Sequence, residues 1–539
     1  MRAFAELLDR LVLTPQRNGK LRLLVDYFRT TPDPDRGLAL AAITRDLELQ
    51  SVKPVMLRTL IAERSDPVLF AYSYDYVGDL AETISLIWPG PSEAAPGANL
   101  PLGAVVHELL NASRREGPML VAGWLDLLGI SERHALLKLV TGGLRVGVSA
   151  RLVKQALADF GTVDVVEIEE LWHGQAPPYE ALFAWLEGRS EKPAATAAAP
   201  FRPVMLATAL DEAEIPTLAP SAFSAEWKWD GIRVQAVSED GVRRLYSRTG
   251  DDISGAFPDI IEAMDFEGAI DGELLVGGHG ETGLDTASFS DLQQRLNRKT
   301  VSAKQLRDYP AFVRAYDLLH EGNRQTGHDL RALPFSERRG RLEAFITKLD
   351  PRRFDLSPLL PFNDFVELAR LRSDPPHPVI EGVMLKRHDS TYVPGRPKGP
   401  WFKWKRDPFT VDAVVVYAQR GHGKRSGYYS DFTFAVWTGP EDAPVLVPVG
   451  KAYFGFTDEE LKLLDRFVRE NTIERFGPVR SVRAEADHGL VVEVAFEGLN
   501  RSTRHKSGVA MRFPRLSRLR WDKPPREADR LETLEKLLD

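Results

Sequence analysis

From residue 4 to about residue 187 the apolar positions recur at intervals of three and four, as in Phe4, Leu7, Leu8 and Leu11 and again in Val105, Val106, Leu109 and Leu110. That spacing lines one face of an α-helix and predicts an all-α first third. After Phe201 the period shortens to two. Ile232, Val234 and Ala236 alternate with polar neighbours, and the hairpin dipeptide Asp240-Gly241 precedes Val242 and Leu245. Helical stretches over 289–296 and 335–349 are interspersed, so this part reads as α+β. From Asp407-Pro408 onward short strands dominate (411–417, 432–437, 445–449, 490–496), which suits a small Greek-key barrel. Residues 188–200 are small and polar between prolines and read as a linker. The expected division is a helical domain over 1–187, the linker over 188–200, an α+β domain over 201–406 and a β-barrel over 407–539.

A chain of 539 residues is too long for one core and suggests about three or four domains. With no cysteine there is no disulfide, thiolate nucleophile or cysteine zinc site, which permits a reducing cytoplasm. No run approaches the ~18 apolar residues of a membrane span, and the first residues do not read as a secretory signal. The net charge of -7 hides a local asymmetry. Residues 501–523 hold eight Lys or Arg against one acid, and 396–406 hold five basic residues and no acid. Such clusters are a footprint for polyanions, although a basic run alone reads as a solvated face.

Three familiar patterns fail. His107-Glu108 is followed by Asn111 where a zinc protease needs its second His. Residues 322–327 have phosphate-loop glycine spacing, but His328 stands where the Lys belongs. Gly277-Gly278-His279-Gly280 reads as a flexible turn. A Walker-type ATPase and a zinc hydrolase are therefore disfavoured.

The strongest signal is Glu226-Trp227-Lys228-Trp229-Asp230-Gly231-Ile232-Arg233, which contains Lys-x-Asp-Gly-x-Arg at a strand edge. Four specified positions match by chance in roughly 0.5% of chains this long. The spacing sets an amine beside a tight turn, with a carboxylate and a guanidinium near enough to orient it and a phosphate. A lysine that attacks phosphorus must be neutral, so nearby cations have to lower its pKa from ~10.4.

From here the chain resembles the covalent nucleotidyltransferases, in particular the ATP-dependent DNA ligases, in family order. Ser247-Arg248-Thr249-Gly250, Ile270-Asp271-Gly272-Glu273-Leu274, Tyr316-Asp317-Leu318-Leu319, Glu381-Gly382-Val383-Met384-Leu385-Lys386 and Trp401-Phe402-Lys403-Trp404-Lys405 are similar to successive family motifs, and Arg518-Leu519-Arg520-Trp521-Asp522-Lys523 to the last. Each alone is weak, and six in order are not. The resemblance implies that Lys228 is the nucleophile and that Glu226, Arg233, Arg248 and Arg396 contact the nucleotide. It implies that Glu273 lies near ribose and metal, that Glu381 is a metal-binding carboxylate and that the Tyr316 ring stacks on adenine. Lys403 and Lys405 would reach the α-phosphate, and Arg520 and Lys523 the departing pyrophosphate. Lys424 and Arg425, within residues 421–427, resemble the basic loop of the ligase barrel. Residues 138–149, with Arg145, resemble the ligase DNA-binding domain, in a stretch to Lys154 that holds four basic residues and no acid. The implied architecture is an all-α DNA-binding domain, an α+β, ATP-grasp-like nucleotidyltransferase domain and a C-terminal barrel of the oligonucleotide-binding (OB-fold) type. The implied chemistry is nick sealing in duplex DNA by a cytoplasmic monomer with ATP as AMP donor and Mg²⁺ or Mn²⁺ as cofactor, in replication, repair or recombination, with no membrane. RNA ligases and capping guanylyltransferases share the Lys-x-Asp-Gly chemistry but not the helical front third. A non-catalytic nick-binding protein would not need Lys228, Glu273, Glu381 and Lys403 together. NAD-dependent ligases need cysteines that this chain lacks.

Overall fold

The computed structural model describes the chain except residues 78, 92–99, 143, 194–197, 278–288, 297, 299, 324, 421–427, 478, 504 and 539. It divides into two compact units, Met1–Arg406 and Asp407–Asp539. Among the described residues no helix is long and apolar enough to cross a membrane.

The first unit opens with twelve described α-helices between Arg2 and Leu186. Phe4, Leu7, Leu8 and Leu11 are buried together, as their spacing requires. Val105, Val106 and Leu109 are buried too, but Leu110 turns to solvent, one step outside the apolar stripe. Beyond the helices lie eleven strands in two antiparallel-rich sheets: β1 (Thr208–Ala209), β2 (Phe223–Trp229), β3 (Ile232–Glu239), β4 (Val242–Ser247), β5 (Gly268–Val276), β6 (Ala311–Glu321), β7 (His328–Asp329), β8 (Phe354–Leu356), β9 (Leu359–Leu360), β10 (Ile380–Arg387) and β11 (Trp401–Lys405). One sheet has the order β1-β11-β10-β2-β9; the other has β4-β3-β5-β6-β7, with β8 beside β6. The hairpin β3–β4 turns on Asp240 and Gly241, at φ 52° and 78°, both positive as in a type I′ turn.

Trp401 and Met384 of the first sheet pack with Val237, Tyr246, Ala269 and Leu319 of the second, so these two faces meet. Trp227, Trp229 and Ile380 line the opposite face of the first sheet, and Val234, Ile270 and Leu274 that of the second. The end of the expected linker is part of this packing: Ala199 is buried and its carbonyl accepts the Tyr246 hydroxyl at 2.9 Å.

In the second unit β12 (Phe409–Arg420) pairs with β13 (Tyr429–Thr438), and β13 with β14 (Val445–Ala452). On its other side β12 meets β16 (Val479–Val482), which pairs with β15 (Thr472–Phe476), and then β17 (Val491–Phe496), which pairs with β20 (Arg515–Arg520). A separate hairpin joins β18 (Gly498–Arg501) to β19 (Val509–Arg512).

Candidate active site

Strand β2 alternates. Phe223, Ala225, Trp227 and Trp229 enter the core, which leaves Ser224, Glu226 and Lys228 on the face toward the other sheet. Directly across, Lys228 pairs with Gly382 of β10 and Gly382 with Lys405 of β11; one step along, Glu226, Met384 and Lys403 form the next row. Three lysines therefore share one face. The β10–β2 ladder slips between Ile380 and Gly382, so Glu381 is the extra residue of a β-bulge. Its side chain bonds the Lys228 ammonium and lies 3.5 Å from Lys405 Nζ. Gly382 has a φ of +145°, and a Cβ there would collide with the Trp404 carbonyl. Glycine is thus needed for the bulge that aims Glu381.

The second sheet faces this row. Arg233 of β3 lies opposite Glu273 of β5, and the Arg233 fork bonds both oxygens of buried Asp271, at 3.0 and 2.5 Å. Tyr392 donates to Asp271 at 2.6 Å and accepts from Arg233 at 3.0 Å. Gly231, between Lys228 and Arg233, lets β3 approach β5, since a Cβ would meet the Leu274 carbonyl and Glu273 Cγ. The β5–β6 ladder also slips: Asp271 pairs with Asp317 and Gly272 with Ala315, which makes Tyr316 a second bulge residue.

Charges cross the gap between the sheets. Burial pushes the Glu273 carboxyl up to about 8, against the pull of Lys228 and Arg233 and with a push from Glu381. Burial also works on Glu381, but Lys228 and Lys405 outweigh it and hold this carboxyl below its ordinary value. The Lys403 ammonium is pushed down by burial, then by Arg396, Lys228, Lys405 and Arg248. The Arg248 guanidinium is likewise lowered, by partial burial and then by Arg233 and Arg396. Lys228, Arg233, Arg248, Glu273, Tyr316, Glu381, Arg396, Lys403 and Lys405 thus gather at one place. Among the described residues no group of three or more metal-binding side chains exists. The Glu273 and Glu381 carboxyls act on each other across this gap, a pair of hard oxygen donors of the kind that suits Mg²⁺ with water completing its shell once Glu273 has given up its proton.

Glu226 shares the face but is buried, with Lys386 Nζ at 3.1 Å and Arg339 at 3.4 Å. Arg520 and Lys523 lie in the second unit, where both bond Asp412, at 3.1 and 2.7 Å. Arg145 is exposed, but the stretch 138–154 does not present four cations. Lys138 is paired with Asp79, and Lys154 is buried beside Val153 and Leu157, with its ammonium 4.8 Å from the Trp172 ring. Arg145 and Arg151 remain exposed. Lys424 and Arg425 lie outside the described residues, as do most of the glycines from Gly277 to Gly280. The sequence reading missed Asp271 and Tyr392, which hold Arg233, and Lys386, Arg338, Arg339 and Asp317, which lie buried behind the site. Lys386, Asp271 and Asp317 stand inside the family-like motifs, and the buried charges of the helix Phe335–Ile346 carry no motif at all.

Two sheets that present a lysine ringed by cations and two carboxylates define a nucleotidyltransferase-type site. Comparison with known proteins gives the family. Residues 1–158 match the DNA ligase N terminus, 204–405 the ATP dependent DNA ligase domain and 425–523 the ATP dependent DNA ligase C terminal region. A probable DNA ligase of Koribacter versatilis (strain Ellin345) is 30% identical across 100% of this chain and 96% of its own length. The DNA ligase 1 of Korarchaeum cryptofilum (strain OPF8) is 28% identical, across 100% and 98%. The solved structure of Pmar-Lig_PreS3 matches with a TM-score of 0.58 at 15% identity, over 96% of this chain and 99% of that one, a likeness of fold. The chain belongs to the ATP-dependent DNA ligase family.

Proposed function

We propose that the protein seals single-strand nicks in duplex DNA through a lysine–AMP intermediate on Lys228. The observation that carries this is the row Lys228, Gly382, Lys405 with Glu381 turned onto Lys228 and Glu273 facing it. Lys228 Nζ attacks the α-phosphorus of ATP, a P–N bond forms, the bond to the β-phosphate oxygen breaks and pyrophosphate leaves. The Glu381 carboxylate, hydrogen-bonded to Lys228, is the nearest acceptor for the proton that the amine sheds. Lys403 and Lys405 offset the charge on the phosphoryl oxygens. Glu273 and Glu381 would hold Mg²⁺ against the phosphates, which adds positive charge where negative charge develops. Arg233, fixed by Asp271, and Arg248 and Arg396 contact the nucleotide, and Tyr316 stacks on adenine. A 5′-phosphate oxygen at the nick then takes the AMP and frees Lys228. The 3′-hydroxyl attacks that 5′-phosphorus, the phosphodiester forms and AMP departs.

The second unit reads as an OB-type barrel, supported by the long β12, which pairs with β13 on one side and with β17 and β16 on the other and has register shifts at Val415/Tyr417 and Gln419/Arg420. Arg520 and Lys523 serve the pyrophosphate. In the helical region the exposed Arg145 meets DNA, and Arg17 and Arg151 stand with Gly147, Pro15 and Leu152 among the residues that line a cavity of about 320 Å³. One chain supplies every residue used, so a monomer suffices, acting in the cytoplasm, where DNA and ATP meet. The test is incubation with α-labelled ATP, α-labelled GTP and labelled NAD in turn, followed by denaturing gels. Label retained from ATP alone is expected; retention from GTP or NAD alone overturns the reading.

A further inference from the structure

Behind the Tyr316 bulge lies a buried ion pair that the adenylation chemistry does not use. Arg338, from the helix Phe335–Ile346, and Asp317, next to Tyr316, are both fully buried. Arg338 Nε and a terminal nitrogen donate to the two Asp317 oxygens at 2.8 and 2.9 Å. Its other terminal nitrogen donates to the Leu333 carbonyl at 2.6 Å and the Ser390 carbonyl at 2.9 Å. Asp317 also accepts the Leu318 amide at 3.0 Å, so one carboxylate grips the strand just past the bulge. From the other side the Lys386 ammonium donates to the Tyr316 carbonyl at 3.2 Å and lies 4.5 Å from the Tyr316 ring centroid.

This arrangement is costly for stability alone. A buried ion pair can often be replaced by apolar residues without loss of stability, whereas one well-directed fork fixes geometry in a way that packing does not. The ladder cannot fix Tyr316, because a bulge residue has no partner opposite it. The fork reaches the residue next to it and ties it to two loops, one before the helix and one after β10.

We propose that Arg338, through Asp317, sets the pose of Tyr316 and is a positioning residue for the base of ATP, without touching the nucleotide. This rests on the reading of Tyr316 as the base-stacking ring. Loss of the fork should let the ring leave its pose and weaken whatever binds through the base, while groups that hold phosphates stay as they are.

The experiment uses the full chain and two probes, ATP in self-adenylation and inorganic tripolyphosphate, which has no base, as its inhibitor. Arg338→Lys keeps the charge and removes the fork. It is expected to raise the KM for ATP about tenfold, within the range that loss of one aromatic–base stack produces, with the tripolyphosphate inhibition constant and the maximal rate unchanged. Tyr316→Ala is expected to raise the KM for ATP as well, with the tripolyphosphate inhibition constant unchanged. Asp317→Asn should show it in weaker form, and carries the test if Arg338→Lys does not fold. An unchanged KM in Arg338→Lys or Asp317→Asn beside a raised KM in Tyr316→Ala overturns the positioning role alone. Parallel weakening of ATP and tripolyphosphate in Arg338→Lys shows general loosening and overturns it too. An unchanged KM in Tyr316→Ala overturns the stacking reading beneath it.

Discussion

Glu381 bonds Lys228 because it has no place in the ladder: β10 slips by one residue beside β2, and the residue left over is the carboxylate turned onto the amine. Tyr316 reaches the site by the same device in the other sheet. Removing the room for the slip should therefore harm chemistry more than folding. Gly382→Ala puts a Cβ against the Trp404 carbonyl at a positive φ. We expect it to cost about 1–3 kcal/mol and to slow formation of the AMP adduct at least tenfold, measured by thermal unfolding and single-turnover labelling. A normal labelling rate would contradict the role of the bulge.

Arg520 and Lys523 share Asp412, in a unit that begins at Asp407. The β- and γ-phosphates exist only before pyrophosphate leaves. Arg520→Ala and Lys523→Ala should therefore be slow to form the adduct yet seal a pre-adenylated nick at nearly the normal rate. Single-turnover measurements on both substrates decide it. Equal losses on both would make these residues general DNA contacts.

The sequence carried some of this plainly. Asp240-Gly241 marks its hairpin because Asp and Gly tolerate the left-handed backbone that both residues adopt in this two-residue turn. Lys228 stands out because its neighbours within five residues complete a rare pattern. What escaped is non-local. Arg338 meets Asp317 across 21 residues, and Arg233 meets Tyr392 across 159, so neither pair leaves a trace in local spacing. Lys154 shows the opposite error, a cation counted toward a basic surface that its helix turns inward. Bulges are equally silent, since a strand with one extra residue keeps its alternation on either side.

Arg145 and Arg151 should serve DNA and not the nucleotide. Arg145→Ala and Arg151→Ala are expected to leave adduct formation unchanged and to weaken nicked-duplex binding. The slope of log affinity against log salt should become shallower by about 0.9 for each phosphate left without its cation. Binding titrations between low and moderate salt check this. An unchanged slope would remove the phosphate role.

His173 sets a pH limit on the joint between the helices and the sheets. Its ring packs against Phe201 and Tyr246 at centroid distances of 5.7 and 4.8 Å. Burial, with Lys154 adding to it against Asp252 and Asp251, lowers its pKa from 6.5 to about 4. In that window the unfolded chain takes up a proton that the folded chain refuses, so stability falls as pH drops from about 6.5 to about 4 and changes no further from this group below that. The loss is about 3 kcal/mol at most. Urea unfolding of the protein and of His173→Phe at pH 7 and pH 4.5 should show a smaller acid loss in the variant. Equal losses would contradict the assignment.

The most direct test of the whole account is where the AMP goes. With α-labelled ATP and Mg²⁺, followed by peptide mapping, the label should lie on Lys228, and Lys228→Ala should carry none while its folding free energy stays within about 1 kcal/mol of the parent. Labelling of Lys228→Ala at the normal rate, or label on another residue of the parent, would contradict it.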